Sequence, residues 1–294
     1  MKKKLALMMA VTLTMGSLLT GCGSSNDAAQ TTTDTEAAAE ETTDDAATEE
    51  TQDAAQEGSE DTQIVYAVEA GSAGEEVAQE KGFQINSVAS QADALMEVAS
   101  GTSDAAIIDL LMAGAMIGEG TSYPNLTHTD ELTTEEYGVG CRKGSDLASF
   151  INSVFAESYA DGSMLETATT YGVQEALVEQ SESEFTEAES DSDVAYIKDK
   201  GTLIVGITDF APMDYKDESG EWIGFDADMA RMVAEKLGVE AQFVEIDWDN
   251  KIMELESKNI DVVWNGMTLT SEVTEAMECT NAYCNNAQVI VVAQ

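Results

Sequence analysis

Basic residues, histidine, proline and cysteine are all scarce in this 294-residue chain. Thirteen Lys and Arg stand against 57 Asp and Glu, a formal net charge of −44. A nucleic-acid backbone needs a positive surface, so that class of partner is excluded. Direct adhesion to anionic lipid headgroups is disfavoured for the same reason. His128 is the only histidine. Without a second imidazole or a Cys-x-x-Cys spacing, a zinc centre and a histidine-based triad lack their parts, and no metal or other cofactor is expected. Four cysteines are too few for a disulfide scaffold. Cys279 and Cys284 are spaced to pair across a short loop, which leaves Cys141 alone. Beyond residue 19 no apolar run approaches the ~20 residues that span a bilayer.

What is present begins with an address. Lys2, Lys3 and Lys4 precede an apolar run from Leu5 to Leu19, the layout of an export signal over residues 1–21. The run ends in Leu19-Thr20-Gly21-Cys22, which resembles a bacterial lipobox. That resemblance implies that Cys22 is the lipidated first mature residue, anchored by two acyl chains where one would be marginal. Localisation is then extracytoplasmic, on the membrane surface. After Cys22, residues 23–62 are Ala, Thr, Ser, Gln, Gly, Asn and acid, with no aromatic or branched aliphatic side chain. Such a segment buries too little apolar surface to offset chain entropy and is expected to be a disordered, self-repelling tether.

Ordered patterning starts at residue 63. IVYAV, INSVAS and DAAII have the composition of buried strands, separated by a Gly71-Ser72-Ala73-Gly74 turn with a short helix and by the helix QADALMEVASG. Strands alternating with helices imply an α/β fold with parallel pairing. LASFINSVFAESYADG and the segment to Tyr171-Gly172 are helical, and residues 179–193 form a second acidic linker. A further alternating unit follows: strand TLIVGI, helix GFDADMARMVAEKLG, strand AQFVEI, helix KIMELES, strand IDVVW, helix TSEVTEAM and strand QVIVV. Each half is the size of one lobe of a two-lobed protein.

These segments resemble a family. GTLIVGITDFAPMDYKDESGEWIGFDADMARMVAEKLG is similar to the opening of extracytoplasmic solute-binding proteins of the polar amino-acid class, family 3, and IDWDNKIMELESKNIDVVWNGMTLT to the unit that follows it. AVEAGSAGEE, GTSDAAIID, YGVGCRKGSDL and ADGSMLETATTYG resemble that family's second lobe and closing helices. The resemblance implies a type II periplasmic-binding-protein-like fold with its lobes in permuted order. The second lobe would occupy 63–139, the closing helices 140–178, the joining linker 179–193 and the first lobe 194–294. Permutation within one monomeric chain, or lobes exchanged between two chains, both fit this order.

The resemblance also implies a ligand: an amino acid or close amine derivative, handed to an ABC transporter permease. Asp109 ends a strand and matches the acid that receives the α-ammonium; strand-end Asp residues also cap helices. Ser72, Ala73 and Gly74 precede a helix whose free N–H groups suit a carboxylate, and Gly266 and Thr268 match donors of the other lobe. Phe210 and Trp248 align with aromatics that flank the ligand, or else belong to the core. Glu69 and Asn265 align with positions that read the ligand side chain. One departure stands out. The family arginine that grips the carboxylate after Thr-x-Glu is replaced here by Val273, and the chain's only arginines, Arg142 and Arg231, lie elsewhere. Transport and sensing share these features. An enzyme of the dehydratase kind on the same fold would have Glu69 as its only unassigned acid.

Overall fold

A computed structural model describes residues 63–294. The expected export signal (1–21), the tether (22–62) and Cys22 lie outside the described residues. Among those described, no helix is long and apolar enough to cross a membrane.

The chain opens with β1 (Val65–Glu69), α1 (Ala73–Glu80), β2 (Gln84–Val88), α2 (Gln91–Ser100), β3 (Ala105–Asp109), α3 (Leu110–Met116) and β4 (Leu126–Glu131). It continues through β5 (Glu135–Cys141), α4 (Leu147–Asp161), α5 (Ser163–Tyr171), α6 (Asp193–Lys200), β6 (Thr202–Ile207), β7 (Tyr215–Lys216) and β8 (Trp222–Ile223). Then come α7 (Phe225–Leu237), β9 (Glu240–Glu245), α8 (Lys251–Glu256), β10 (Val262–Thr268), α9 (Ser271–Ala276), β11 (Glu278–Cys279), β12 (Cys284–Asn286) and β13 (Gln288–Ala293).

Two mixed sheets organise these elements. The first runs β2-β1-β3-β13-β4, the second β11-β5-β10-β6-β9 with β12 also on β5. Pairs β1/β2, β1/β3, β10/β6 and β6/β9 are parallel, as alternating strands and helices require. β3 is buried along its whole length, which explains its uninterrupted apolar run.

Local chemistry sets the ends of the helices. Ser72 caps α1 by accepting the Glu75 N–H at 3.1 Å, while the Glu75 carboxylate accepts the Gly71 N–H at 2.8 Å. The pair resembles a capping box, with the glutamate reaching the residue before the cap rather than the cap itself. Ser90 caps α2 by accepting the Asp93 N–H at 3.1 Å, and Gly101 closes that helix in the left-handed region at φ 76°.

The sheets exchange strands at their ends. β13 is the last strand in sequence, yet it lies between β3 and β4, antiparallel to both. β5 belongs to the second sheet, antiparallel to β10. The chain therefore crosses between sheets twice, through residues 132–134 and through Ala287. This corrects the expected division. The first crossing precedes β5 rather than following residue 139, and QVIVV does not belong with residues 194–286. Apolar alternation identifies a strand, but hydrogen-bond partners decide its sheet.

The linker 179–193 was expected to be a loose acidic joint. It lacks regular structure but is fastened down. Phe185 packs edge-on against Phe150 at 5.1 Å. The Asp146 carboxylate accepts the Ala188 N–H at 3.1 Å, the Ser192 hydroxyl at 2.6 Å and the Val194 N–H at 3.1 Å. α6 directly after it, with Val194 and Ile197 buried, was not anticipated. The cysteine pairing also fails. Cys141, Cys279 and Cys284 are free thiols. Cys279 faces Gly140 and Cys284 faces Tyr137 on β5, three residues apart along that strand. A rise of about 3.4 Å per residue puts them beyond disulfide reach.

Candidate functional site

A cavity of about 280 Å³ is lined by residues of both lobes. Glu69 ends β1 and Asp109 ends β3, at the carboxyl ends of adjacent parallel strands, where α/β sheets place ligands. Ser72 and Ala73 come from the start of α1. Across the cavity stand Trp248, Lys251, Asn265, Gly266, Thr268 and Val273. At the lobe contact Gly71 adopts φ 70°, and a Cβ there would lie 2.7 Å from the Asp249 Cα, so glycine is required both for conformation and for space.

Two carboxyls dominate the interior. Asp109 is buried and sits at the N-cap of α3 but makes no capping bond. Its Oδ1 instead accepts the Tyr137 hydroxyl at 2.7 Å, the Gln288 Nε2 at 3.1 Å and the Asn286 side-chain amide, while Oδ2 accepts from Gln91. Burial raises Asp109 to about 7, helped by the charge of Glu135 and opposed by these donors. Glu69 is only 3% exposed, and its Oε1 is buried without a hydrogen-bond partner. Burial is the main cause of its rise to about 8; Asp109 adds to it and Lys251 opposes it.

The expected residues do not all converge. Glu69, Ser72, Ala73, Asp109, Trp248, Asn265, Gly266 and Thr268 line the cavity. Gly74 does not: it lies on the buried face of α1, where a Cβ would come within 2.9 Å of the Gln288 Oε1. Phe210 also lies off the wall, 2% exposed and packed edge-on against Tyr137 at 6.3 Å. It shapes the site indirectly, because a Cβ on Gly266 would strike its ring at 2.3 Å.

The donors expected from the second sheet are already committed. The Gly266 N–H donates to Asp226 at 2.6 Å. Asn265 spends both ends of its amide on Thr208, accepting its N–H at 3.0 Å and donating to its hydroxyl at 2.7 Å. The Thr268 hydroxyl donates to Glu135 at 2.5 Å. Alignment to a turn cannot reveal which way a hydrogen bond is already spent.

Sequence reasoning missed Gln91, which reaches Asp109 from the start of α2, and Tyr137, Asn286 and Gln288, which reach it because the chain crosses between sheets at β5 and β13. It also missed Lys251, which is 7% exposed and donates to the Gly71 carbonyl at 2.7 Å and the Trp248 carbonyl at 3.3 Å. A signal was available. Lysine in a first helical turn opposes the helix dipole, and in a chain this poor in basic residues such a position calls for a reason.

Comparison with known proteins places this geometry. The profile of bacterial extracellular solute-binding proteins, family 3, matches residues 203–294. The L-cystine-binding protein TcyJ of Escherichia coli (strain K12) is 34% identical over 88 residues, 30% of this chain and 33% of that protein. The arginine-binding extracellular protein ArtP of Bacillus subtilis (strain 168) is 34% identical over 93 residues, 31% of this chain and 36% of its own length. The cyclohexadienyl dehydratase of Pseudomonas aeruginosa is 34% identical over 77 residues, 26% of this chain and 29% of that enzyme. The chain thus spans about a third of the length of the curated relatives it matches. With strands β6, β9 and β10 and one wall of the cavity inside the matched segment, residues 203–294 belong to the bacterial extracellular solute-binding proteins, family 3.

Proposed function

We propose that this chain is an extracytoplasmic receptor that captures an amino acid or close amine derivative and delivers it to the permease of an ABC importer. The observation that carries this reading is the pair Glu69 and Asp109, two buried carboxyls on one cavity wall, with Oε1 of Glu69 unpartnered. An ammonium placed there satisfies the orphaned oxygen and allows both groups to ionise. Glu75, Glu76, Asp249 and Glu272 add further acid to the lining, which favours a ligand carrying a second positive charge on its side chain. Relatives that bind arginine support that choice.

The reading assigns the cavity no chemical step and no cofactor. One chain acts as a monomer, held to the membrane by a lipid on Cys22. The lobes are in permuted order. Support for the permutation comes from the crossings between the two sheets at residues 132–134 and Ala287.

Mass spectrometry of small molecules retained through native purification tests the reading, followed by calorimetry against the twenty amino acids and cystine. An amine ligand is expected, with basic amino acids bound most tightly. Recovery of ligands that all lack an amine would sink it.

A further inference from the structure

A free α-carboxylate in this cavity needs donors, and the expected ones are missing. Val273 lines the wall where the resemblance places an arginine, and it is 4% exposed and apolar. The Gly266 N–H and the Thr268 hydroxyl are spent on Asp226 and Glu135, and one hydrogen of the Asn265 amide on Thr208. Neither arginine substitutes. Arg142 is bound to Asp193 at 3.0 Å and Asp261 at 3.4 Å, and Arg231 to Asp228 at 2.8 Å.

Among the described residues, Lys251 is the one cation in the cavity lining. It is nearly buried, and its hydrogen-bond acceptors are two neutral carbonyls, Gly71 and Trp248. None of the ion pairs among the described residues includes it. An ammonium has three donor hydrogens, so one is left over. A buried cation without an anion in contact is costly, and an anionic ligand group removes that cost. The Ser72 N–H is spent on the Glu69 carbonyl at 3.2 Å and the Glu75 N–H on the Ser72 hydroxyl at 3.1 Å. Gly71 places this ammonium close before Ala73, the first residue of α1, whose N–H has no partner within its own helix. Lysine charge and helix N-terminus therefore converge from opposite lobes.

We propose that Lys251 takes the place of the family arginine and binds the ligand's carboxylate together with the Ala73 N–H at the start of α1. The inference rests on the amino-acid reading above and adds to it the carboxylate partner and its location. Because Lys251 also reaches Gly71 of the other lobe, a carboxylate seated there draws both lobes onto one anion.

The test is calorimetry on the full chain with each amino acid that binds and with its α-amide. Wild type should prefer the acid over the amide by tenfold or more. Lys251→Met should weaken the acid at least tenfold and leave the amide within about threefold, collapsing the preference. Lys251→Arg should keep the preference, and Val273→Arg added to Lys251→Met should restore it. Thermal melts establish that the variants fold, with Lys251→Gln as the replacement if methionine is not tolerated. An unchanged acid-to-amide ratio in folded Lys251→Met, or no preference in wild type, overturns the assignment while the amino-acid reading stands. If wild type binds no amino acid at all, that reading fails and the Lys251 assignment with it.

Discussion

Tyr137 donates its hydroxyl to the Asp109 Oδ1 at 2.7 Å, and the two residues belong to different sheets. Tyr137 lies on β5 just after the first crossing, while Asn286 and Gln288, which also bond Asp109, flank Ala287 at the second. One carboxyl thus ties both crossings to the end of β3. Whatever binds Asp109 acts on the joint between the lobes.

Tyr137→Phe should therefore cost more than an ordinary hydrogen bond. It strips a donor from a buried carboxyl while leaving the ring's packing against Phe210 in place. A loss of about 1–3 kcal/mol is expected, read from urea denaturation with an unchanged slope. A loss below about 0.5 kcal/mol would mean that Asn286, Gln288 and Gln91 suffice.

Asp109→Ala should abolish measurable capture of an amine ligand, with affinity falling on the order of a hundredfold or more, since a buried ammonium would lose its counter-charge. Titration of the copurified ligand into stripped wild type and variant measures the difference. Equal affinity would remove Asp109 from the site.

Stability should decline as pH rises from acid to alkaline. Burial raises Glu69 to about 8 and Asp109 and Asp226 to about 7, whereas carboxyls in the unfolded chain titrate near about 4. The folded state holds protons that the unfolded state releases. This contribution is fully present below about pH 4 and is lost as pH climbs through 7 to 8. Asp146 acts in the opposite sense. Partial burial raises it, but the Ser192 hydroxyl and the amides of Ala188 and Val194 bring it below its ordinary value, so its contribution is lost in acid. The melting temperature of ligand-free protein should be highest near pH 5 and several degrees lower at pH 8.5, and Glu69→Gln should flatten that fall. A melting temperature that climbs across this range would contradict the assignment of buried, protonated carboxyls.

Phe185→Ala should free the acidic linker. With its packing on Phe150 removed, a glutamate-specific protease should cut between residues 179 and 193 several times faster. The two fragments should stay associated, because each sheet contains strands of both, β13 in the first and β5 in the second. Cleavage at the wild-type rate would assign the anchoring to Asp146 alone.

Replacing Cys22 with Ala should move the protein from the membrane fraction to the soluble one, measured by fractionation of cells. Retention in the membrane would refute the lipid anchor.

Much of the architecture was legible from residue order alone. The apolar periods of β1, β3, β6 and β10 and the glycine stop after α7 at Gly238 are local properties, set by a side chain and its near neighbours in sequence. Asp109 was visible as an acid at the end of an apolar strand, and Glu69 through the family resemblance. What residue order did not contain was partnership across distance. Only the folded chain decides that β13 lies beside β3, that the Gly266 N–H is already bonded to Asp226, and that Cys279 and Cys284 face different residues of β5. Lys251 is the clearest instance. In sequence it is one basic residue opening a short helix; in the tertiary structure it lies against Gly71, 180 positions away. Local propensity is a short-range energy, whereas the site is assembled by long-range pairing, and pairing is decided by packing and hydrogen-bond geometry once the lobes have met.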